Sequence, residues 1–461
     1  MKTKILFVAA IAVCGILLSS ETAFAVQGLK VVDIKTFTTK AEIAIIPEDF
    51  TGIMRMTAVP MAERKSNIAV TFAGQKDPVI KIYDFKGTEL LSWKPISSDF
   101  QGELPVSAGD VDGDGVSEII VTDGPGGTGD IRIFDLTGKM KTSFQANGPD
   151  YHLGVETAIG DVTGDGKKEI IVSIIEKDNK EAIKFFDITG KEVAKKISVD
   201  LKNTFEPLKV GALDLGTDGV VELLVGNGFG NEPTLKLLQA DGTLINTFKT
   251  YADNFLGGVF FSIVDSPEMK AIITGAGFSG GPHLKVLDFY GTLRDNGDFF
   301  SYGASFAGGI NVVTADFDAD GIMEIATLPY QPDPQNGRDI YKFIEVDISE
   351  QRLYYYENGK QIGKHIVSSG RWDMPTPLGE YRIFQKAPRA FSARYGLYMP
   401  YWMSFKPMYG FHELPEWPSG YKEGANHLGV RVSHGCVRLG VGPAKILYNW
   451  APIGTKVFIH N

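Results

Sequence analysis

Short apolar runs rich in β-branched residues recur through the first three quarters of the chain, among them Ile119-Ile120-Val121 and Ile170-Ile171-Val172. Asp/Gly clusters separate them, and the 53 glycines fall largely at such breaks. Runs this short, bounded by turn residues, predict strands rather than helices. The first 25 residues read differently. Lys2 and Lys4 precede an apolar stretch from Ile5 to Leu18, and Ala23-Phe24-Ala25 fits an A-x-A cleavage site. That stretch falls short of the roughly 20 residues of a membrane-spanning helix, so residues 1–25 are expected to be a signal peptide, with Cys14 inside it.

The strands carry a long period. One strand-then-turn phrase recurs as Tyr83-Asp84-Phe85-Lys86-Gly87, Phe134-Asp135-Leu136-Thr137-Gly138 and Phe186-Asp187-Ile188-Thr189-Gly190, then as Asp241-Gly242 and Asp288-Phe289-Tyr290-Gly291. The glycines at 87, 138, 190, 242 and 291 are 51, 52, 52 and 49 residues apart. About four short strands fit each unit, the size of one β-propeller blade. Residues 27–60 hold further strand-like runs, so six or seven blades are expected. The repeat phase asks for a strand near residue 344 to finish the last blade, in competition with the C-terminal domain.

A second phrase runs in step with the first. Asp110, Asp112, Asp114 and Glu118 precede one apolar run; Asp161, Thr163, Asp165 and Glu169 precede the next; Asp316, Asp318, Asp320 and Glu324 repeat the pattern. Asp214, Asp218 and Glu222 form a weaker copy. Hard oxygens at positions 1, 3, 5 and 9 of a Gly-turned loop suit a structural Ca²⁺, although Asp and Gly also cap tight turns unaided. Over roughly residues 60–335 these units resemble FG-GAP or VCBS-type propeller repeats, as does the Gly-rich phrase from Gly275 to Val286.

Charge divides the chain in two. Residues 339–461 hold 15 basic and 10 acidic residues, whereas residues 26–338 hold 29 basic and 45 acidic. The imbalance marks two domains and argues against nucleic acid as the larger part's ligand. Pro329 to Gly337, rich in Pro, Gln and Asn, reads as a linker. With the signal set aside, Cys436 is the only cysteine, so no internal disulfide is available and the thiol is either filler or a reactive group.

A reactive thiol needs a base to ionise it and donors for a tetrahedral oxyanion. Cys436 has His434 two residues before it and His412 twenty-four before it, and Gly435 admits a tight turn and a close substrate. His412, followed by Ser433-His434-Gly435-Cys436-Val437-Arg438, resembles the nucleophile motif of the L,D-transpeptidases (YkuD-type). The stretches Val346-Asp347-x-Ser349-x-Gln351-x-Leu353 and Pro375-Thr376-Pro377-x-Gly379-x-Tyr381 fit as well. The resemblance implies Cys436 as nucleophile and His412 as general base, with His434 and Arg438 shaping the pocket. Ser433 belongs to the same motif, and backbone N–H groups near Gly435 and Cys436 would serve as oxyanion donors. Glu413 stands where relatives often have Gly or Ser, and the spacer to Ser433 is somewhat long. His427 is a further candidate near the site. Tyr398, Tyr401, Trp402 and Trp417 are read as packing between strands rather than as a cleft lining.

The expected molecule is mainly β: signal peptide 1–25, six- or seven-bladed β-propeller 27–330, linker 331–338, and a β-rich catalytic domain 339–461. The resemblance implies an extracytoplasmic enzyme acting on peptidoglycan stem peptides through a Cys436 thioester, with no cofactor for catalysis. An L,D-carboxypeptidase would use the same residues. A protein of another class would use the propeller to bind a wall polymer or protein, with the C-terminal domain as its anchor.

Overall fold

In a computed structural model, residues 28–460 are described except 48–49, 51, 63–64, 75–76, 97–99, 101, 125–126, 149–150, 152–153, 177–179, 200–206, 229–230, 254, 256, 267, 278–279, 305, 332–341, 358–359, 384 and 453–454. The expected signal peptide lies outside the described residues, as does the expected linker apart from Gln331, whose N–H donates to Gly308 O.

The chain opens with β1 (Gly28–Asp33) and β2 (Thr39–Ala44), then forms five four-stranded antiparallel blades. The first is β3 (Ile53–Pro60), β4 (Ser66–Ala73), β5 (Val79–Tyr83) and β6 (Glu89–Trp93). The second is β7 (Val106–Gly109), β8 (Glu118–Thr122), β9 (Asp130–Phe134) and β10 (Met140–Gln145). The third is β11 (Glu156–Gly160), β12 (Glu169–Ile175), β13 (Glu181–Phe186) and β14 (Ile197–Val199). The fourth is β15 (Lys209–Leu213), β16 (Glu222–Gly226), β17 (Thr234–Leu238) and β18 (Leu244–Lys249), and the fifth β19 (Val259–Asp265), β20 (Lys270–Ala276), β21 (His283–Leu287) and β22 (Leu293–Phe300).

The sixth blade is shared between the two ends of the propeller. β23 (Ile310–Ala315) and β24 (Glu324–Pro329) pair with β1 and β2 in the order β2-β1-β24-β23. Lys30 lies opposite Thr327 and Asp33 opposite Glu324. The inner strands β3, β7, β11, β15, β19 and β23 neighbour one another in a closed ring. The propeller therefore has six blades, and residues 28–44 finish the last one. The strand near residue 344 that the period asked for belongs to another sheet.

Burial explains the strand pattern. The second strands β4, β8, β12 and β24 are buried along their whole length, which makes them continuous apolar runs. The outer strands β2, β10 and β18 alternate exposed and half-buried positions, as edge strands do. At the turn into β10, Gly138 takes φ 82° and donates to Asp135 O, while the Asp135 carboxylate caps Thr137 and Lys139 N–H. The corresponding turn before β2 places Phe37 at φ 54°.

Residues from all six blades meet at the ring centre. Arg55 donates to Glu156 at 2.7 and 2.9 Å and to Glu103 at 3.2 Å. Lys209 donates to Glu156 at 2.5 Å, the Tyr330 hydroxyl donates to Glu103 at 3.0 Å, and both cations lie over the Phe260 ring. Burial alone raises the Glu156 carboxyl, but Arg55 and Lys209 override it and hold the group well below the usual range. Two acids and two bases close this cluster without net charge.

The C-terminal sheet has nine strands: β25 (Lys342–Asp347), β26 (Arg352–Glu357), β27 (Lys360–Ser368), β28 (Gly379–Arg382), β29 (Gln385–Ser392), β30 (Leu397–Lys406), β31 (Tyr409–Glu413), β32 (Val437–Leu439) and β33 (Lys456–His460). Their order is β28-β33-β25-β26-β27-β32-β31-β30-β29. The single α-helix among the described residues, α1 (Pro443–Trp450), packs on β30 to β32 and buries Leu447 against the sheet with Phe411, Val437 and Leu439.

Candidate active site

Two parallel neighbours, β31 and β32, build the site. His412 lies opposite Arg438 and Phe411 opposite Val437, which places Cys436 one residue ahead of the shared ladder. Alternation along β31 separates His412 from Glu413. The Glu413 carboxylate meets Lys422 Nζ at 2.6 Å and approaches the Gly442 N–H ahead of α1. Glu413 thus supports the fold behind the site.

The turn before β32 is held from several directions. Gly435 has φ 110°, and a Cβ there would come within 2.5 Å of the Tyr409 ring, so only glycine fits. Ser433 Oγ accepts from Gly435 N–H at 3.0 Å and donates to Cys436 O at 2.5 Å. Thr376 Oγ1 donates to Gly435 O and accepts from Gly370 N–H, both at 2.8 Å. Gln351 binds Ser369 through both ends of its amide, and Ser369 O accepts from Ser433 N–H. The Gln351 and Thr376 positions of the sequence motif therefore brace the turn that carries Cys436.

Cys436, His412, His434 and Arg438 line one cavity of about 320 Å³, together with Arg394, Tyr395, Trp402, Met408 and Tyr409. The half-buried Cys436 Sγ lies 3.7 Å from Met408 O. His412 Nδ1 is 2.6 Å from Glu413 O. A carbonyl only accepts, so Nδ1 carries the proton and Nε2 keeps a free lone pair. Burial and then the Arg438 charge push the His412 pKa down to about 3. Burial pushes the Cys436 thiol up to about 11 against the opposing pull of Gly410 N–H and Arg438. Both groups are therefore neutral in the free protein at pH 7.

His434 stacks on Tyr395 at 4.4 Å, and burial with Arg371 and Arg438 lowers its pKa. Arg438 is clamped: Nη1 donates to both Glu423 oxygens at 2.9 and 2.8 Å. His427 Nδ1 lies 2.9 Å from the same carboxylate and does not line the cavity. Glu423, which the sequence reading did not single out, comes from the long spacer between His412 and Ser433. Of the four aromatics read as packing, Trp402 lines the cavity; Tyr398 packs on Phe391 and Arg389, Tyr401 on Tyr448, and Trp417 on Tyr421. Ser433 and Gly435 shape the turn, and the Gly435 N–H is already spent on Ser433.

The acidic loops join the first and second strands of four blades. In three of them carboxylate oxygens lie within 4.8 Å of one another: Asp110, Asp112 and Glu118; Asp161, Asp165 and Glu169; Asp316, Asp318 and Asp320. Such clusters suit a hard cation. Asp114 caps Val116 N–H, and Thr163 Oγ1 reaches Glu169 at 3.4 Å. Asp214 caps Gly219 N–H and forms no such cluster among the described residues.

Residues 341–459 match the family of the L,D-transpeptidase catalytic domain (YkuD), and residues 110–172 match an FG-GAP-like repeat. YciB of Bacillus subtilis (strain 168), which carries the name of an L,D-transpeptidase, is 34% identical over 125 residues, covering 25% of this chain and 64% of that protein. Among solved structures, an L,D-transpeptidase from Stackebrandtia nassauensis shares 30% identity, with 26% of this chain and 55% of that chain covered and a TM-score of 0.23. The catalytic domain of the E. faecium L,D-transpeptidase shares 26%, covers 26% of this chain and 96% of that one, and has a TM-score of 0.21. Each of these relatives covers about a quarter of this chain, and the chain spans less than two thirds of the first two. The C-terminal part of this protein, residues 341–459, matches the L,D-transpeptidase catalytic domain family (YkuD), and it follows a six-bladed β-propeller within which residues 110–172 match an FG-GAP-like repeat.

Proposed function

We propose that this protein is an exported L,D-transpeptidase that remodels peptidoglycan through a thioester on Cys436. The observation that carries the reading is the pairing of β31 with β32, which turns Cys436 and a His412 with a free Nε2 lone pair into one cavity. The Cys436 sulfur attacks the carbonyl between an L-configured centre and the terminal D-amino acid of a stem peptide as His412 Nε2 takes the thiol proton. The neutral resting pair favours this concerted transfer over a preformed thiolate. The Cys436 N–H, adjoining the turn, is assigned to the oxyanion, since the Gly435 N–H is engaged. On collapse the C–N bond breaks, His412 returns the proton to the departing amine, and the thioester remains. An amine of a second stem then displaces Cys436, with His412 taking and returning a proton in the same way.

No cofactor enters this scheme. If water resolves the thioester instead, the enzyme is an L,D-carboxypeptidase built from the same residues. Mass spectrometry of muropeptides after incubation with the purified protein separates the two: cross-linked dimers support transpeptidation, and trimmed monomers alone replace it with hydrolysis. Intact stems would sink both. Export rests on Lys2, Lys4, the apolar stretch and Ala23-Phe24-Ala25. The envelope-fraction protein is expected to begin at Val26, and full-length cytoplasmic protein would overturn the localisation. The propeller is assigned to holding the enzyme at a wall polymer or protein, with Ca²⁺ as a structural ion in its acidic loops.

A further inference from the structure

The bulges of the outer strands limit that calcium assignment. In the first blade the register slips between Ile82 and Tyr83, so Leu90 is the extra residue of β6. The second blade slips in the same place and leaves Lys141 extra in β10. The fourth leaves Ile245 extra in β18, and the sixth leaves Lys40 extra in β2. The residue stands three positions after the positive-φ residue of the turn in every case: Gly87, Gly138, Gly242 and Phe37. In the third blade, three residues after Gly190, the position holds Val193. A bulge re-aims the side chain it carries. Leu90, Val193 and Ile245 are exposed there, whereas both lysines reach into the acidic loop of their own blade.

Lys141 Nζ lies 2.5 Å from Asp112 and 2.7 Å from Glu118. Lys40 Nζ lies 2.8 Å from Asp318, 3.0 Å from Asp320 and 2.7 Å from Glu324. Glu118 and Glu324 are almost fully buried, and each also accepts a backbone N–H, from Val111 and Phe317. Each ammonium thus contacts two of the three carboxylates that cluster in its loop, Asp112 and Glu118 in one and Asp318 and Asp320 in the other. The Asp161–Glu169 loop receives no such lysine among the described residues. We infer that Lys40 and Lys141 are built-in counter-cations that close the sixth- and second-blade loops in place of calcium, leaving the Asp161, Asp165 and Glu169 cluster of the third blade, among the described residues, without a cation of its own.

The chemistry explains the arrangement. An ammonium brings one charge and three donors to oxygens that would otherwise repel, and it needs no ion from solution. The sixth blade is the sterner case, because Asp316 Oδ1 is buried without a donor. That oxygen offers calcium a ready ligand once Lys40 is gone.

The test uses the full mature chain, calcium chloride and a chelator, and is independent of the catalytic reading. Calcium stoichiometry and Tm are measured for wild type, Lys40→Met and Lys141→Met. Each variant is expected to bind one calcium more than wild type. Each should lose about 2–4 °C in chelator, the shift of roughly 1 kcal/mol in a domain of this size, and regain it in calcium. A folded variant with the wild-type stoichiometry overturns the inference. So does a variant that stays unfolded in millimolar calcium as well as in chelator, since the ion is required to replace the ammonium.

Discussion

The propeller and the catalytic sheet are both β-structure, yet they are assembled in opposite ways. In blades one to five each strand pairs with its neighbour in sequence. In the catalytic sheet β25 pairs with β33 and β31 with β32, both in parallel and across long connections. Buried charge is also handled differently. At the propeller axis Arg55, Lys209, Glu103 and Glu156 satisfy one another and leave nothing to react. In the cavity Arg438 is cancelled by Glu423, while Cys436 and His412 stay neutral and unspent. A closed network rigidifies; a pair left neutral beside a cancelled charge can move a proton.

The largest effect that would break this contrast is expected at the nucleophile. Cys436→Ala should lower turnover by more than about 10⁴-fold, in line with nucleophile deletions elsewhere, without changing the melting of the propeller. Appreciable residual cross-linking in the muropeptide assay would remove Cys436 from the mechanism. His412→Gln should cost about 10²–10⁴-fold, the usual worth of a general base. A variant within threefold of wild type would pass the role to His434 or His427.

At the propeller axis the expected loss is of stability. Glu156→Gln leaves Arg55 and Lys209 short of a partner, which for a broken buried pair costs about 3–5 kcal/mol. Denaturant titration reads it, and an unchanged midpoint would show that the axial cluster is not structural. Alkylation of Cys436 below the transition should stay at the wild-type rate.

The smallest effect concerns acid–base balance. Cys436 alkylation should rise with pH towards a midpoint near 11, the value burial sets. Glu423→Gln frees the Arg438 charge to favour the thiolate, so the midpoint should fall by about one unit; superimposed profiles would show that Glu423 does not tune the site. Stability has the matching signs. The depressed His412 makes the unfolded chain bind the extra proton, so its contribution is lost as pH falls below about 6.5. The raised Cys436 makes the unfolded chain ionise first, so its contribution is lost as pH climbs above about 8.5.

The blade period was legible because Gly87, Gly138, Gly190, Gly242 and Gly291 each sit at a turn that needs positive φ. The sixth blade was announced only by the strand-like runs in residues 27–60, because Phe37 takes that conformation without being glycine and the partner strand β24 is almost three hundred residues away. The Ser433–Arg438 motif was legible because its residues are contiguous in the chain. Glu423 was not, because it reaches Arg438 only when the spacer folds back, and no short pattern marks it. Lys40 and Lys141 were equally silent, since a strand bulge decides where they point.

The closure of the ring also has a mechanical meaning. β24 ends at Pro329, and the chain continues from there towards the catalytic domain. It lies between β1 and β23, hydrogen-bonded to both. Any pull transmitted along the chain from the C-terminal domain reaches the propeller at this strand. It meets two antiparallel ladders at once, where an outer strand would offer only one. The strand best placed to bear traction is thus the one through which traction enters.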